Sequence, residues 1–209
     1  MKDNPFLISG YISPDFFCDR EKETEMILDA VRNRRHLTIF APRRIGKTGL
    51  LKHVFYIAGQ KKYFTPVYID ILATSSLKDF TECFGKSVLT ALARNEPAIR
   101  KILKSLISIR PKISIDPVSG EPSVVFTVSN TREAADSLDT VFRYIQNQKD
   151  QFVLAIDEFQ QVSAYPEKNV EALIRTHMQN TSNANMIFSG SRKHILTSIF
   201  SVPDRPFYN

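Results

Sequence analysis

Apolar residues along this chain follow two spacings, one typical of buried strands and one typical of helices. Short apolar and β-branched runs predict four buried strands, at residues 36–40, 65–71, 152–156 and 185–189. Apolar residues at every third or fourth position predict seven helices, at residues 21–34, 49–58, 77–94, 97–108, 131–147, 170–178 and 193–200. Strands that alternate with helices predict a three-layer α/β fold with a mostly parallel central sheet.

The segment between the second and third predicted strands departs from this alternation. Two runs of alternating apolar and polar residues, 112–116 and 123–128, flank the turn sequence PVSGEP. This pattern predicts a β-hairpin, which we place in an insertion at residues 109–129.

The N-terminal part, residues 1–35, is expected to form an irregular segment followed by the first helix. Acidic residues precede and open this helix, as is typical of a helix start. Its buried face is assigned to the apolar residues that share one side at helical spacing, Met26, Ile27, Ala30 and Val31.

Composition narrows the class of protein. The chain has 209 residues, 43% of them hydrophobic, so it can bury one sizeable core, and we expect a single domain over residues 1–209. It has neither an apolar run of about 18 residues nor the apolar region of a signal peptide. Cys18 and Cys83 lie far apart and show no disulfide or zinc pattern. We therefore expect a cytoplasmic protein without a membrane span, whose net charge of +6 attracts polyanions without choosing among them.

The sequence APRRIGKT at residues 41–48 fits the phosphate-binding pattern [AG]xxxxGK[ST], and it lies between a predicted strand and a predicted helix, as that motif requires. Gly46 lets the backbone N–H groups approach a phosphate, and the helix N-terminus favours negative charge. Lys47 is expected to reach the β- and γ-phosphates, and the Thr48 hydroxyl to bind Mg²⁺. Arg43 and Arg44 could contact phosphates or face solvent. The predicted nucleotide-binding residues are Ala41, Pro42, Arg43, Arg44, Ile45, Gly46, Lys47, Thr48 and Gly49.

The apolar run at residues 152–156 ends on two carboxylates, Asp157 and Glu158. Buried carboxylates at the end of a strand are costly without a cation, and Mg²⁺ is the cation that a phosphate loop brings with it. We expect Asp157 to hold Mg²⁺ and Glu158 to polarise the water that attacks the γ-phosphate, with Lys47 assisting catalysis. The predicted cofactors are therefore ATP and Mg²⁺.

Other polar residues are weaker candidates for the same site. Ser189 and Ser191, at the end of the fourth strand, could hydrogen-bond the attacking water or a phosphate, or could simply form a turn. Asp70, at the end of the second strand, could join the water network or begin the next loop. Arg192 and Arg205 could act as arginine fingers, which stabilise the transition state from a neighbouring subunit, or could be ordinary surface residues.

Three stretches, FFCDREKE at residues 16–23, APRRIGKTGL at 41–50 and MIFSGSRKHI at 186–195, together point to a family. The chain resembles the archaeal-type ATPases of the STAND/AAA+ side of the P-loop superfamily, which also occur in bacteria. That resemblance implies that Phe17 and Arg20 border the adenine and the ribose, although both could merely lead into the first helix. It also implies that a fifth core strand, a helical lid and a C-terminal domain are missing from this chain.

The motifs together predict an ATP-binding domain that hydrolyses ATP with Mg²⁺ and uses the reaction as a conformational switch or motor. Two alternatives are a regulatory module that binds nucleotide without hydrolysing it, and a DNA-associated protein that ATP regulates. The basic residues in the stretch 94–112 favour the second alternative. Expected partners are further copies of the chain, a protein client, or DNA bound through the missing C-terminal region, and no membrane.

Overall fold

The computed structural model describes residues 10–61, 63–93, 112–115 and 122–208; of residues 61, 93, 112–115 and 122–125 it describes the backbone alone. The strands are β1 (Leu37–Phe40), β2 (Thr65–Asp70), β3 (Lys112–Ile115), β4 (Pro122–Val125), β5 (Phe152–Asp157) and β6 (Ala184–Gly190). The α-helices are α1 (Glu21–Arg32), α2 (Lys47–Lys61), α3 (Leu77–Ala93), α4 (Thr131–Gln146), α5 (Val170–Asn180) and α6 (Lys193–Ser201). Two short 3₁₀ helices lie at Pro14–Phe16 and Phe159–Ala164.

Four strands form one parallel sheet in the order β1-β6-β5-β2. Phe40 of β1 pairs with Gly190 of β6, and Asp70 of β2 pairs with Asp157 of β5. The carboxyl ends of all four strands therefore meet at one edge of the sheet, where open α/β sheets bind their ligands. The predicted α/β fold with a parallel sheet is confirmed.

Successive residues of the central strands enter two separate cores, because side chains of a strand alternate between its faces. Val153 and Ala155 of β5 pack with apolar residues of α1 and α2. Leu154 and Ile156 pack with α3, α4, α5 and α6 on the opposite face. The sheet is thus the middle of three layers, as predicted.

The buried face of α1 differs from the prediction, which included Met26 and left out Thr24 and Leu28. Met26 is 70% exposed, so its assignment to the buried face is wrong. The buried residues are Thr24, Ile27, Leu28, Ala30 and Val31. Positions 24, 27, 28 and 31 follow the i, i+3, i+4, i+7 rule, and Met26 lies outside that stripe.

The predicted hairpin is present: β3 and β4 pair in antiparallel register, with Lys112 opposite Val125. The chain leaving the hairpin is held against α3, because Phe126 is buried and the N–H of Val128 donates to Glu82 Oε1 at 3.0 Å. The helix predicted at residues 97–108 lies outside the described residues.

The 3₁₀ helix Phe159–Ala164 follows β5 directly and was not predicted. Its first residue, Phe159, is buried against the rings of Phe188, Phe200 and Phe207, with centroid distances of 4.5, 6.0 and 5.6 Å. This packing fixes the chain immediately after Glu158. Within the part of the chain that is described, no helix is both long and apolar enough to cross a membrane.

Candidate functional site

The loop that joins β1 to α2 lies at the carboxyl edge of the sheet. The N–H of Ala41 donates to the carbonyl of Gly190 at 3.3 Å, which continues the pairing of β1 with β6. Arg44 and Gly46 adopt positive φ angles, +67° and +83°, and α2 then begins at Lys47. A glycine takes such an angle without the steric cost that a side chain brings. The backbone therefore turns sharply just before the helix N-terminus.

A cleft of about 900 Å³ opens over this loop. Seven of the nine loop residues predicted to bind nucleotide line it, namely Pro42, Arg43, Arg44, Gly46, Lys47, Thr48 and Gly49. Glu158 and Ser191 line its other side. Ala41 and Ile45 do not line it: Ala41 continues β1, and the carbonyl of Ile45 accepts a hydrogen bond from Arg20 at 3.1 Å.

Asp157 lies at the centre of the polar network beneath this cleft. Its side chain is only 3% exposed, and both carboxylate oxygens accept hydrogen bonds. Oδ1 accepts from Lys47 Nζ at 2.5 Å, from Ser189 Oγ at 2.8 Å and from the N–H of Glu158 at 3.0 Å. Oδ2 accepts from Thr48 Oγ1 at 2.8 Å and from the Tyr68 hydroxyl at 2.7 Å.

These contacts determine the charge of Asp157. Burial by itself raises the pKa of a carboxyl group. Here the hydrogen bonds from Lys47, Tyr68 and Thr48, with the positive charge of Lys47, outweigh burial and lower the pKa of Asp157 to about 2. Burial and the neighbouring Asp157 raise the pKa of Tyr68 well above its ordinary value. Asp157 is therefore ionised at neutral pH, and Tyr68 stays a hydrogen-bond donor.

Glu158 has an unusual backbone conformation for a residue with a side chain. Its φ of +57° lies in the left-handed region, which costs about 1–2 kcal/mol for a residue other than glycine. Its Oε1 lies 3.5 Å from Lys47 Nζ, and its Oε2 accepts from Ser191 Oγ at 2.9 Å and from Gln160 Nε2. Burial would raise the pKa of Glu158, but these hydrogen bonds and the charge of Lys47 lower it. Strained backbone of this kind concentrates at functional sites.

The remaining candidates from the sequence are Asp70, Arg192 and Arg205. Asp70 accepts from the N–H of Leu72 at 3.0 Å and so caps a local turn. Arg192 is exposed next to Ser191 at the start of α6. Arg205 lies away from the cleft: its Nε donates to Glu171 Oε2 at 3.1 Å, and its guanidinium also binds Ser163 and Ser198.

Phe17 and Arg20 both lie beside the phosphate loop and α2. The Phe17 ring stacks on His53 of α2 with a centroid distance of 4.2 Å, close to Gly49. Arg20 pairs with Glu23 at 2.7 Å and donates to the loop carbonyl of Ile45. Their contacts thus reach beyond the start of α1, while their role toward adenine and ribose stays a prediction.

Thr48 and Asp157 are a suitable pair of ligands for Mg²⁺. Both side chains offer oxygen atoms as ligands: Thr48 Oγ1 and Asp157 Oδ2 lie 2.8 Å apart, and Asp157 carries the negative charge. Mg²⁺ in phosphate-transfer sites takes one or two protein ligands and completes its shell with phosphate oxygens and water. Such a site needs no larger cluster, and none of three or more His, Cys, Asp or Glu occurs among the residues described.

Two residues of the network, Tyr68 and Gln160, were not predicted. Tyr68 is the one aromatic residue with a hydroxyl group in β2, and a polar atom between the apolar residues Val67 and Ile69 is a usable signal. Gln160 follows the two carboxylates by two positions, and no spacing rule distinguishes it from a loop residue.

Comparison with known proteins identifies the family. A family model described as an ATPase domain predominantly from Archaea matches residues 17–198. The chain belongs to this ATPase family. The resemblance to archaeal-type ATPases is thereby confirmed, and the domain is a nucleotide-binding ATPase domain of the P-loop class. No curated protein matches the chain by sequence.

Solved structures share the fold. The Walker-type ATPase PABY2304 of Pyrococcus abyssi superposes with a TM-score of 0.60 at 17% identity, over 99% of this chain and 55% of that one. The ORC1 protein of Aeropyrum pernix, solved in complex with DNA, gives a TM-score of 0.53 at 11% identity, over 86% of this chain and 41% of that one. The chain therefore spans about half the length of the solved structures that it matches.

Proposed function

We propose that this domain binds Mg²⁺-ATP in the cleft and hydrolyses the bond between the β- and γ-phosphates, using the reaction as a conformational switch or motor. One observation carries the proposal. Lys47 and Thr48, from the start of α2, contact Asp157 at the end of β5, and Glu158 lies 3.5 Å from Lys47 on the wall of the cleft. A phosphate-binding lysine, two metal-binding oxygens and a carboxylate oxygen on the wall of the cleft are groups that serve ATP hydrolysis.

Each side chain has one role in this proposal. Thr48 and Asp157 hold Mg²⁺, which neutralises the charge that develops on the phosphate oxygens. Lys47 binds the β- and γ-phosphates as a point charge at the helix N-terminus. Glu158 accepts a proton from the attacking water, which its low pKa allows because the carboxylate is ionised at neutral pH.

Nucleotide affinity tests the binding half of the proposal. Lys47→Ala is expected to weaken Mg²⁺-ATP binding by at least about tenfold, because it removes a charge-assisted contact. Lys86→Ala is the matched control, since Lys86 is an exposed lysine of α3. Equal affinity of the wild type and the Lys47 variant, measured by calorimetry, would refute nucleotide binding through this loop.

Turnover tests the hydrolytic half. Glu158→Gln keeps the shape of the side chain but cannot accept the proton, so ATP binding should persist while hydrolysis falls by about 100-fold or more. Unchanged turnover would remove Glu158 from the reaction. ATP binding without measurable turnover in the wild type would favour the regulatory module that does not hydrolyse its nucleotide.

Partners and location stay predictions. The likeness to a DNA-bound ORC1 protein concerns the fold alone, and the basic stretch at residues 94–112 lies almost wholly outside the described residues. DNA binding is therefore proposed only from the net charge of +6, and an affinity for DNA that does not fall with salt would argue against it. Oligomer formation, a protein client and a cytoplasmic location are likewise predictions.

A further inference from the structure

Gln160 is the least expected member of the polar network. It is 95% buried in the 3₁₀ helix after β5, and its Nε2 donates to Glu158 Oε2. Its own Oε1 is buried and has no hydrogen-bond partner within the described part of the chain. A buried acceptor without a partner is destabilising. Among the residues that the structure describes, the amide of Gln160 makes one polar contact, the one from its nitrogen to Glu158.

The end of β6 leaves room for this amide. A Cβ atom at Gly190 would lie 2.0 Å from Gln160 Oε1 and 3.2 Å from its Cδ, so the absence of a side chain there lets the amide reach Glu158. The direction of the amide also follows from its contact. Rotating it by half a turn would place its oxygen against Glu158 Oε2, which already accepts from Ser191 Oγ, whereas the observed direction places the N–H there.

The two oxygens of Glu158 consequently differ. Oε2 accepts from both Gln160 and Ser191, whereas Oε1 accepts from neither and lies 3.5 Å from Lys47 on the cleft side. We propose that Gln160 is a positioning residue that holds Oε2 of Glu158, so that Oε1 is presented to the attacking water. The inference rests on the proposed function, because Gln160 would act only through Glu158 as the proposed base.

Gln160→Met is the decisive variant. Methionine has a similar length and volume, so it fills the same space, and it removes both the N–H donor and the unpaired oxygen. The variant is expected to fold as stably as the wild type. With the full chain and Mg²⁺-ATP, its kcat is expected to fall about 10- to 100-fold while its Kd for ATP changes less than about twofold, as is usual when a supporting hydrogen bond is removed.

A double-mutant cycle separates positioning from a merely structural role. If Gln160 acts only through Glu158, Gln160→Met should cause no further loss of kcat in the Glu158→Gln background. Additive losses would overturn the inference. So would a wild-type kcat in the single Gln160 variant beside a slow Glu158→Gln variant, and that result would leave the proposed function intact. Wild-type turnover of Glu158→Gln itself would refute the proposed base, and the inference with it.

The contact can also be measured without turnover. In ¹⁵N NMR spectra of the full chain, the side-chain amide of Gln160, assigned as the signal missing from Gln160→Met, should shift in Glu158→Ala. It should show slowed hydrogen exchange in the wild type only. An amide signal that is insensitive to Glu158→Ala would overturn the inference whether or not the chain hydrolyses ATP.

Discussion

Replacing Asp157 with asparagine should remove a part of the free energy of unfolding that depends on pH. The side chain of Asp157 is only 3% exposed. Burial alone would raise its pKa, but the hydrogen bonds from Lys47, Tyr68 and Thr48 and the charge of Lys47 lower that pKa from the ordinary 3.8 to about 2. At roughly 1.4 kcal/mol per pH unit, this difference corresponds to about 2 kcal/mol of stability at neutral pH. Asparagine keeps the shape and one acceptor oxygen of the side chain but carries no charge.

The sign of the effect follows from the direction of the change in pKa. A carboxyl whose pKa is lower in the folded chain than in the unfolded chain stabilises the fold above its unfolded pKa. That stability is lost as the pH falls through the folded pKa. The contribution of Asp157 is therefore nearly complete at pH 5, and about half of it is lost by pH 3. The stability gap between the wild type and Asp157→Asn should narrow by about 1 kcal/mol over this range.

Urea unfolding followed by far-UV circular dichroism measures this gap, since the chain contains no tryptophan for fluorescence. Asp29→Asn is the matched control, because Asp29 also has an ionic partner, Arg35, but both side chains are more than half exposed. An exposed ion pair contributes about 1 kcal/mol or less, so the control should lie close to the wild type. A gap for Asp157→Asn that is the same at pH 5 and pH 3 would refute the reasoning, because Asp157 would then titrate alike in the folded and unfolded chains.

Three further predictions concern packing, buried charge and the arginine at the C-terminal end. Gly190→Ala should lower the free energy of unfolding in the urea titration by about 1–3 kcal/mol, because its methyl group would collide with the amide of Gln160. Gly59→Ala is the control. Its methyl group would meet nothing within 4 Å, so this variant should be neutral or stabilising. Burial lowers the pKa of His177, so the unfolded chain takes up this proton first, and stability should fall as the pH drops below about 6.5. The share of His177 in this slope is at most about 1.4 kcal/mol per pH unit and should be missing in His177→Gln, while the shares of His36 and His53, whose pKa values are also lowered, remain. Arg205→Lys should lower the free energy of unfolding by about 1 kcal/mol, because lysine cannot make the bidentate contact with the Glu171 carboxylate on α5. ATP turnover should stay unchanged. Lost turnover at unchanged stability would instead support Arg205 as an arginine finger.

The strands β5 and β6 could be predicted because parallel strands covered on both faces are apolar at almost every position. The prediction that β1 is a buried strand is wrong: Thr38 and Phe40 are exposed, and β1 lies at the edge of the described sheet. Every residue from Phe152 to Asp157 is buried, and the run is recognisable without any alternation. The same signal misassigned Met26, because an apolar residue next to the buried stripe of a helix is common on protein surfaces. Hydrophobic spacing thus predicts which elements exist better than it predicts the face of a single residue.

The motif residues of the site could be predicted because they are contiguous in the chain, and their meeting follows from topology. Lys47 and Asp157 are 110 positions apart, yet parallel strands bring the ends of β1 and β5 to one edge of the sheet. Gln160 could not be predicted in this way. Its contact depends on the φ of +57° at Glu158 and on the 3₁₀ turn that follows, and residues other than glycine adopt such a φ too rarely for a sequence pattern to indicate it.

The net charge of the buried network bears on how a metal ion and a nucleotide would bind at the site. Asp157 and Glu158 are both ionised at neutral pH, and Lys47 supplies a single positive charge between them, so these three side chains carry a net charge of −1. Leaving such a charge largely out of water is unfavourable, and the hydroxyl donors on Asp157 only partly compensate for it. A divalent cation beside Thr48 would turn the balance positive, and a triphosphate would then be attracted from the open side, where Arg43 and Arg44 line the cleft. On this reasoning we expect the metal and the nucleotide to favour each other's binding, with the ionised carboxylate of Asp157 as the group that attracts the metal.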